Sequence, residues 1–218
     1  MWGLGTTLYS LAYGRMGDDA VAAITIATTI QDIFVVLFQG LSAATAVILG
    51  NELGAGKLKR AEKYATQFFI LQFMITMAAD LLMVAGRWKI IGIYTITPEV
   101  AMDINLCLLV FALYMPAKMF NYVNVVGVLR SGGDTKMCLF LDTSGVWLFG
   151  VPLAFLGALV WKLPIYLVYA LVLFEEVYKM VLGYWRYRQK KRLRKLTSEG
   201  ESAIISVERQ VVVCYNSV

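Results

Sequence analysis

Residues 50–65 read GNELGAGKLKRAEKYA. Three glycines, a lysine directly after the third, and a basic patch behind it suit two different structures. One is a loop that cradles a phosphate; the other is a tight turn between two helices. A phosphate-binding loop needs a glycine five residues before its Gly-Lys pair and a Ser or Thr after it, because that hydroxyl holds magnesium. Here Gly56-Lys57 has Asn51 at the first position and Leu58 at the second. Such a loop also follows a strand, whereas a long apolar run leads into Gly50. A nucleotide site is set aside, and the turn reading leads outward into the chain.

The solvent for those flanking runs follows from composition. Of 218 residues, 59% are hydrophobic and 16% charged, against about 25% charged in soluble domains. Mean hydropathy is +0.67. A chain of this size cannot hide that much apolar surface inside itself, so the expected solvent is a bilayer. No His is present, which removes imidazole acid–base chemistry and most zinc sites. Cys107, Cys138 and Cys214 lack metal-ligand spacing. No metal site, enzyme chemistry or nucleic-acid partner is expected.

Six apolar segments are read as helices, because backbone polar groups in lipid must be satisfied internally. They cover about 1–14, 20–49, 64–85, 100–129, 137–160 and 163–185. The first lacks the charged start and cleavage site of a signal peptide. It is shorter than a span and reads as the second half of a helix, or as a re-entrant or interfacial one. Basic residues divide unevenly between the connections. Loops 50–63 and 130–136 and the segment after Trp185 carry thirteen, from Lys57 to Lys195; the opposite side carries Arg15, Arg87, Lys89 and Lys162. The excess of Lys and Arg faces the cytoplasm, which puts the C-terminus inside a multi-pass protein of the cell membrane (plasma or inner). Trp88, Trp161 and Trp185 end their runs, where indoles favour the interface. Residues 1–195 are the expected helical lobe, and 196–218 a tail with little fixed structure.

Four motifs then fall in order. AVILGNELGAGKLKRAEKYA (46–65) resembles the loop of the MATE (multidrug and toxic compound extrusion) transporters, with Gly50, Gly54 and Gly56 as its structural glycines. YTITPEV (94–100), GVLRSGGDT (127–135) and WLFGVPLAFLG (147–157) resemble further segments of that family, with Thr97 where Asp is common. Arg130, Gly133 and Asp134 belong to the third motif, and the Asp134 carboxylate is expected to cap the next helix. The resemblance implies an all-α membrane fold of two six-helix lobes, of which this chain matches the second, its first helix cut at the start. It further implies Na+ or H+ as coupling ion, a small-molecule substrate, no other cofactor, and an N-terminal lobe supplied by the same gene or a second chain. Family coupling acids at the start of this lobe's first helix fall upstream of Met1. Another position falls where this sequence has Lys118 and Met119.

Ionisable groups at membrane depth are functional candidates by default. Asp32 lies ~18 Å from the end of its run. Thr25, Thr28, Asp32, Gln39 and Ser42 form a polar stripe, lining either a watery cavity or a helix–helix seam. Lys118 lies at similar depth, with Asn121 and Asn124 at helical spacing; it neutralises Asp32 or meets an anionic substrate. Glu175 and Glu176 sit mid-run and diverge by ~100°. Glu175 and Lys179 are placed to pair, so the carboxylates serve ion exchange or helix packing. Asp80 and Asp142 are expected near the interface or in caps. The leading reading is a cation-coupled multidrug antiporter working by alternating access. A flippase for lipid-linked substrates and an inactive half-transporter are the alternatives.

Overall fold

The computed structural model describes residues 2–188. The expected tail at 196–218 and the basic stretch leading to it lie outside the described residues. Those residues form helices joined by short turns: α1 Trp2–Gly14, α2 Asp18–Gly54, α3 Leu58–Ile91, α4 Pro98–Leu129, α5 Thr135–Val160 and α6 Ile165–Arg188. No strand occurs among them. Helices α2 to α5 are each long and apolar enough to cross a membrane. The interior of α6 carries Glu175, Glu176 and Lys179. Its 24 residues still span ~36 Å, whereas α1 reaches only ~20 Å.

The opening question has a geometric answer. Gly54 closes α2, Ala55 follows it, and Gly56 adopts a left-handed φ of 70°. The Lys57 N–H donates to the Glu52 carbonyl at 2.9 Å and the Gly56 N–H to the Leu53 carbonyl at 3.0 Å. This paired closure satisfies carbonyls that a helix end leaves open, and its left-handed residue is best supplied by glycine. GVLRSGGDT builds the same turn at Gly133, φ 76°, with Asp134 N–H donating to Leu129 and Gly133 N–H to Arg130, both at 3.0 Å. Gly50 and Gly54 remain helical. The loop is a helix-to-helix turn.

Two helices run past their expected bounds. The segment 64–85 widens to Leu58–Ile91 because Lys59, Arg60, Ala61, Glu62 and Lys63 are good helix formers that simply leave the hydrocarbon. At ~51 and ~56 Å, α3 and α2 exceed the ~30 Å apolar core of a bilayer, and their ends extend into the interface. Helix α4 starts at Thr97, whose side-chain oxygen accepts from Val100 N–H at 3.4 Å, with Pro98 in the first turn. The Thr in place of Asp keeps the capping role.

Helix α4 is the hub, with α2, α3, α5 and α6 packed around it and α1 lying on α2 and α5. Its inward residues Ile104, Leu108, Phe111, Met115 and Met119 meet Val35 and Phe38 of α2, Met83 of α3 and Val168 and Leu173 of α6 in one buried core. Close packing, more than escape from water, joins helices in lipid. The outer faces bear exposed Ile33, Leu37, Phe73, Leu81, Leu82, Leu113 and Leu148, a surface for which hydrocarbon is the good solvent.

The backbone widens beside the core. Helix α4 continues through Pro116 and becomes π-helical over Tyr122–Leu129. Helix α5 does so over Gly145–Gly150 and Leu156–Val160, on either side of Pro152. Carbonyls in the first stretch find donors on other helices: Ser42 Oγ donates to Tyr122 O at 2.8 Å and Cys138 Sγ to Val125 O at 3.3 Å. Such wide turns cluster at functional sites.

Candidate functional site

A cavity of about 490 Å3 opens between α1, α2, α4, α5 and α6. Helix α1 contributes Thr6, Tyr9, Ser10 and Tyr13; α2 contributes Thr28, Gln31 and Asp32; α4 contributes Lys118, Asn121, Tyr122, Val125 and Val126. Asp142 comes from α5, and Tyr169, Val172, Leu173, Glu175, Glu176 and Lys179 come from α6. The polar stripe of α2 therefore faces a cavity at Thr28 and Asp32. Further along it becomes a seam, where Ser42 is buried against α4. Both readings of the stripe hold, on different turns of one helix.

The α6 carboxylates diverge as helical geometry requires. Glu175 is buried. Its Oε1 faces Lys179 Nζ at 3.1 Å, and its Oε2 accepts from the Tyr9 hydroxyl at 2.8 Å. This ties α6 to α1, and α5 supplies the space for it. A side-chain carbon on Gly150 would overlap the Tyr9 hydroxyl and crowd Glu175, and one on Gly145 would overlap Lys179. Both glycines lie in the first π-helical stretch of α5. Glu176 points to α4 instead, where Asn121 Nδ2 donates to its Oε2 at 2.9 Å and to its backbone carbonyl at 2.8 Å. Deeper in, Tyr169 donates to Gln31 Oε1 at 2.6 Å.

Asp32 differs from both. It is exposed to the cavity and forms no ion pair among the described residues. The expected Asp32–Lys118 neutralisation is absent there; Lys118 Nζ lies 5.5 Å from the centre of the Phe111 ring, in range of a cation–π contact.

The MatE family model matches residues 3–156. The chain belongs to the MatE family. Curated relatives include an uncharacterized transporter of Bacillus subtilis, YisQ, 23% identical over 74% of this chain and 36% of the relative. Another is the multidrug resistance protein MdtK of Yersinia enterocolitica, 29% identical over 67% of this chain and 32% of its own length. This MatE chain thus spans about a third of the curated relatives it matches. Among solved structures, a multidrug resistance MATE transporter in its outward-facing conformation superimposes with a TM-score of 0.81. That match has 16% identity and covers 88% of this chain and 42% of the other. A Pyrococcus furiosus transporter of the MOP superfamily, whose binding pocket is described as having reversed polarity, matches equally well. At such identity the likeness establishes the fold: an all-α lobe corresponding to part of a larger transporter.

Within this MatE lobe, Asp32, Lys118, Glu175, Glu176, Thr28 and Asn121 come together at one cavity. Gln39 is not among its lining residues; it is exposed beside Tyr122. Two expectations need correction. Asp142 lies on the cavity wall, in the regular helical turns of α5 that precede its first π-helical stretch. Asp134 places no side-chain bond into its helix start; its Oδ2 accepts from Arg186 Nε at 2.7 Å, tying the turn to α6. Arg130 is exposed beside that turn. Tyr9, Tyr13, Gln31 and Tyr169 were missed. The signal for α1 was present, since Thr6, Tyr9, Ser10 and Tyr13 repeat at helical spacing. Tyr169 carried none, because tyrosine is an ordinary member of apolar runs; Gln31, polar and three residues after Thr28, was a signal left unused.

The wall holds four carboxylates, Asp32, Asp142, Glu175 and Glu176, against the two ammonium groups of Lys118 and Lys179. With Lys179 engaged by Glu175, the remainder is three acids and one base. The chemistry on offer is ion binding and hydrogen bonding. Among the described residues no cluster of three His, Cys, Asp or Glu groups forms a metal centre.

Proposed function

We propose that this chain is one lobe of a cation-coupled multidrug antiporter, exporting amphipathic, often cationic, organic compounds. Inward Na+ or H+ drives the export, and the lobe works by alternating access against a second lobe from the same gene or another chain. The observation carrying this reading is Asp32: a carboxylate open to a mid-membrane cavity, free of any ion pair among the described residues. Asp32 and Glu176 meet the coupling ion or the cationic cargo. Tyr9, Glu175 and Lys179 hold α1, α5 and α6 in register. A cation moving inward across the membrane potential releases about 2.3 kcal/mol per 100 mV, a source of work that needs no nucleotide site. The widened turns of α4 and α5 supply backbone that yields during rocking. The basic ends at Lys57–Lys63 and Arg130–Lys136 face the cytoplasm of the plasma or inner membrane. A lipid-linked-substrate flippase fits less well, because Lys118 alone offers an uncommitted cation.

The test is ethidium accumulation in cells stripped of their own efflux pumps. Residues 1–218 are expressed with and without the natural upstream coding sequence. Lower accumulation with the longer protein, abolished by Asp32→Asn, is the expected result. Lower accumulation with residues 1–218 alone points to two copies assembling as paired lobes. Unchanged accumulation in both would contradict the multidrug reading and favour the inactive half-transporter.

A further inference from the structure

We propose that residues 122–129 of α4 are a two-state switch between π-helical and α-helical winding, pushed out of the π form by Asn124 and held in it by Ser42. Asn124 lies inside the π-helical stretch Tyr122–Leu129. It is fully buried, yet neither its Oδ1 nor its Nδ2 has a hydrogen-bond partner. No other described residue buries two unpartnered side-chain polar atoms. An amide buried in this way destabilises the conformation that buries it. Asn124 is sealed from solvent and is not among the residues lining the central cavity, so no ligand relieves it. A change in the backbone that carries it does.

Other groups hold the π form in place. Ser42 Oγ of α2 donates to Tyr122 O at 2.8 Å, at the start of the wide turns, and Cys138 Sγ of α5 donates to Val125 O at 3.3 Å. Two glycines let the neighbours close in. A side-chain carbon on Gly127 would lie 3.0 Å from Thr45 of α2, and one on Gly183 of α6 would lie 2.7 Å from Asn124 Nδ2. The stretch is therefore seated closely between α2, α5 and α6, with an unanswered amide at its centre. Supports on the outside and a penalty on the inside are what a two-state element requires.

The two windings differ in more than local hydrogen bonds. A π-helical turn holds more residues than an α-helical one, so rewinding rotates Asn124 away from α6 and turns everything that follows. The rotation reaches the turn at Arg130–Asp134. Asp134 Oδ2 accepts from Arg186 Nε at 2.7 Å, so the adjoining ends of α4 and α6 move together. This switch needs no assumption about cargo or coupling ion, and ethidium export plays no part in its test.

The test is hydrogen–deuterium exchange, read by mass spectrometry on the full chain in lipid nanodiscs. Residues 137–144 of α5 are the internal reference, because they are α-helical and leave the same turn in the opposite direction. Six of the eight residues in Tyr122–Leu129 are buried, against three of the ten in Thr135–Ser144. Burial alone therefore predicts slower exchange in the π-helical stretch. Switching predicts the reverse, by about tenfold. Ser42→Ala should speed exchange in 122–129 further. Asn124→Leu keeps the branched shape without the polar atoms and should slow it about tenfold. Both should leave 137–144 unchanged. Slower exchange in 122–129 than in 137–144 of wild type would overturn the proposal. So would faster exchange in 122–129 of well-folded Asn124→Leu, or equal slowing of both segments, which is general stabilisation. If Asn124→Leu does not fold, Ser42→Ala decides, and unchanged exchange there rejects the switch.

Discussion

The two ends of the central cavity use the same kinds of residue in opposite ways. At one end Glu175 divides its oxygens between Lys179 and Tyr9, and α5 brings Gly145 and Gly150 close against them. At the other, Asp32 stands exposed beside Thr28, with no ion pair among the described residues. The closed end has every charge answered and no room to move. The open end has a charge left over and space for a ligand. A mid-membrane carboxylate is therefore not assigned a role by its depth alone. What decides is whether neighbouring helices have already satisfied it.

The largest expected effect breaks the closed end. Lys179→Ala leaves Glu175 buried without its counter-charge, and one-sided removal of a buried pair costs about 3–5 kcal/mol. Thermal unfolding of the purified chain should show a large loss. The double change Glu175→Gln with Lys179→Met should recover most of it, because a neutral packed pair substitutes well for a buried ionic one. Unchanged unfolding in Lys179→Ala would mean that the pair does not hold the helices. Next comes Gly150→Ala, whose new methyl group overlaps the Tyr9 hydroxyl. Overpacking of this kind costs about 1–3 kcal/mol, and adding Tyr9→Phe should return part of the loss in the same assay. Tyr9→Phe alone removes one hydrogen bond to a charged acceptor, about 1.5 kcal/mol. The smallest stability effect belongs to the open end: Asp32→Asn should unfold within about 0.5 kcal/mol of wild type.

Much of the fold was legible because the bilayer imposes simple rules. Long apolar runs had to be helices, LGAGK had to be a turn once the phosphate spacing failed, and SGGD fell in a loop between two runs. The ends of α3 were not legible, since Lys59–Lys63 reads equally as loop or as helix leaving the membrane. At the site, charge made Asp32, Lys118, Glu175 and Glu176 conspicuous, and their divergence on α6 followed from helical geometry. Their partners were another matter. Tyr9 and Tyr169 reach across 166 and 138 residues of sequence to Glu175 and Gln31, and no local pattern encodes such pairings. Asp142 lies in the regular α-helical turns of α5, and which wall those turns face is set by packing against the other helices, which no local pattern states. Asp134 was read as a cap from its place before a helix; Arg186, far along the chain, competes successfully for the same carboxylate.

The most direct measurement pairs export with stability in the proposed two-lobe assembly. Cation-driven ethidium efflux is compared between wild type and Asp32→Asn, each checked for yield and unfolding temperature. The expected result is efflux lost in Asp32→Asn while stability is kept. Full efflux in that variant, at normal yield, would contradict the assignment of the open carboxylate to coupling or cargo.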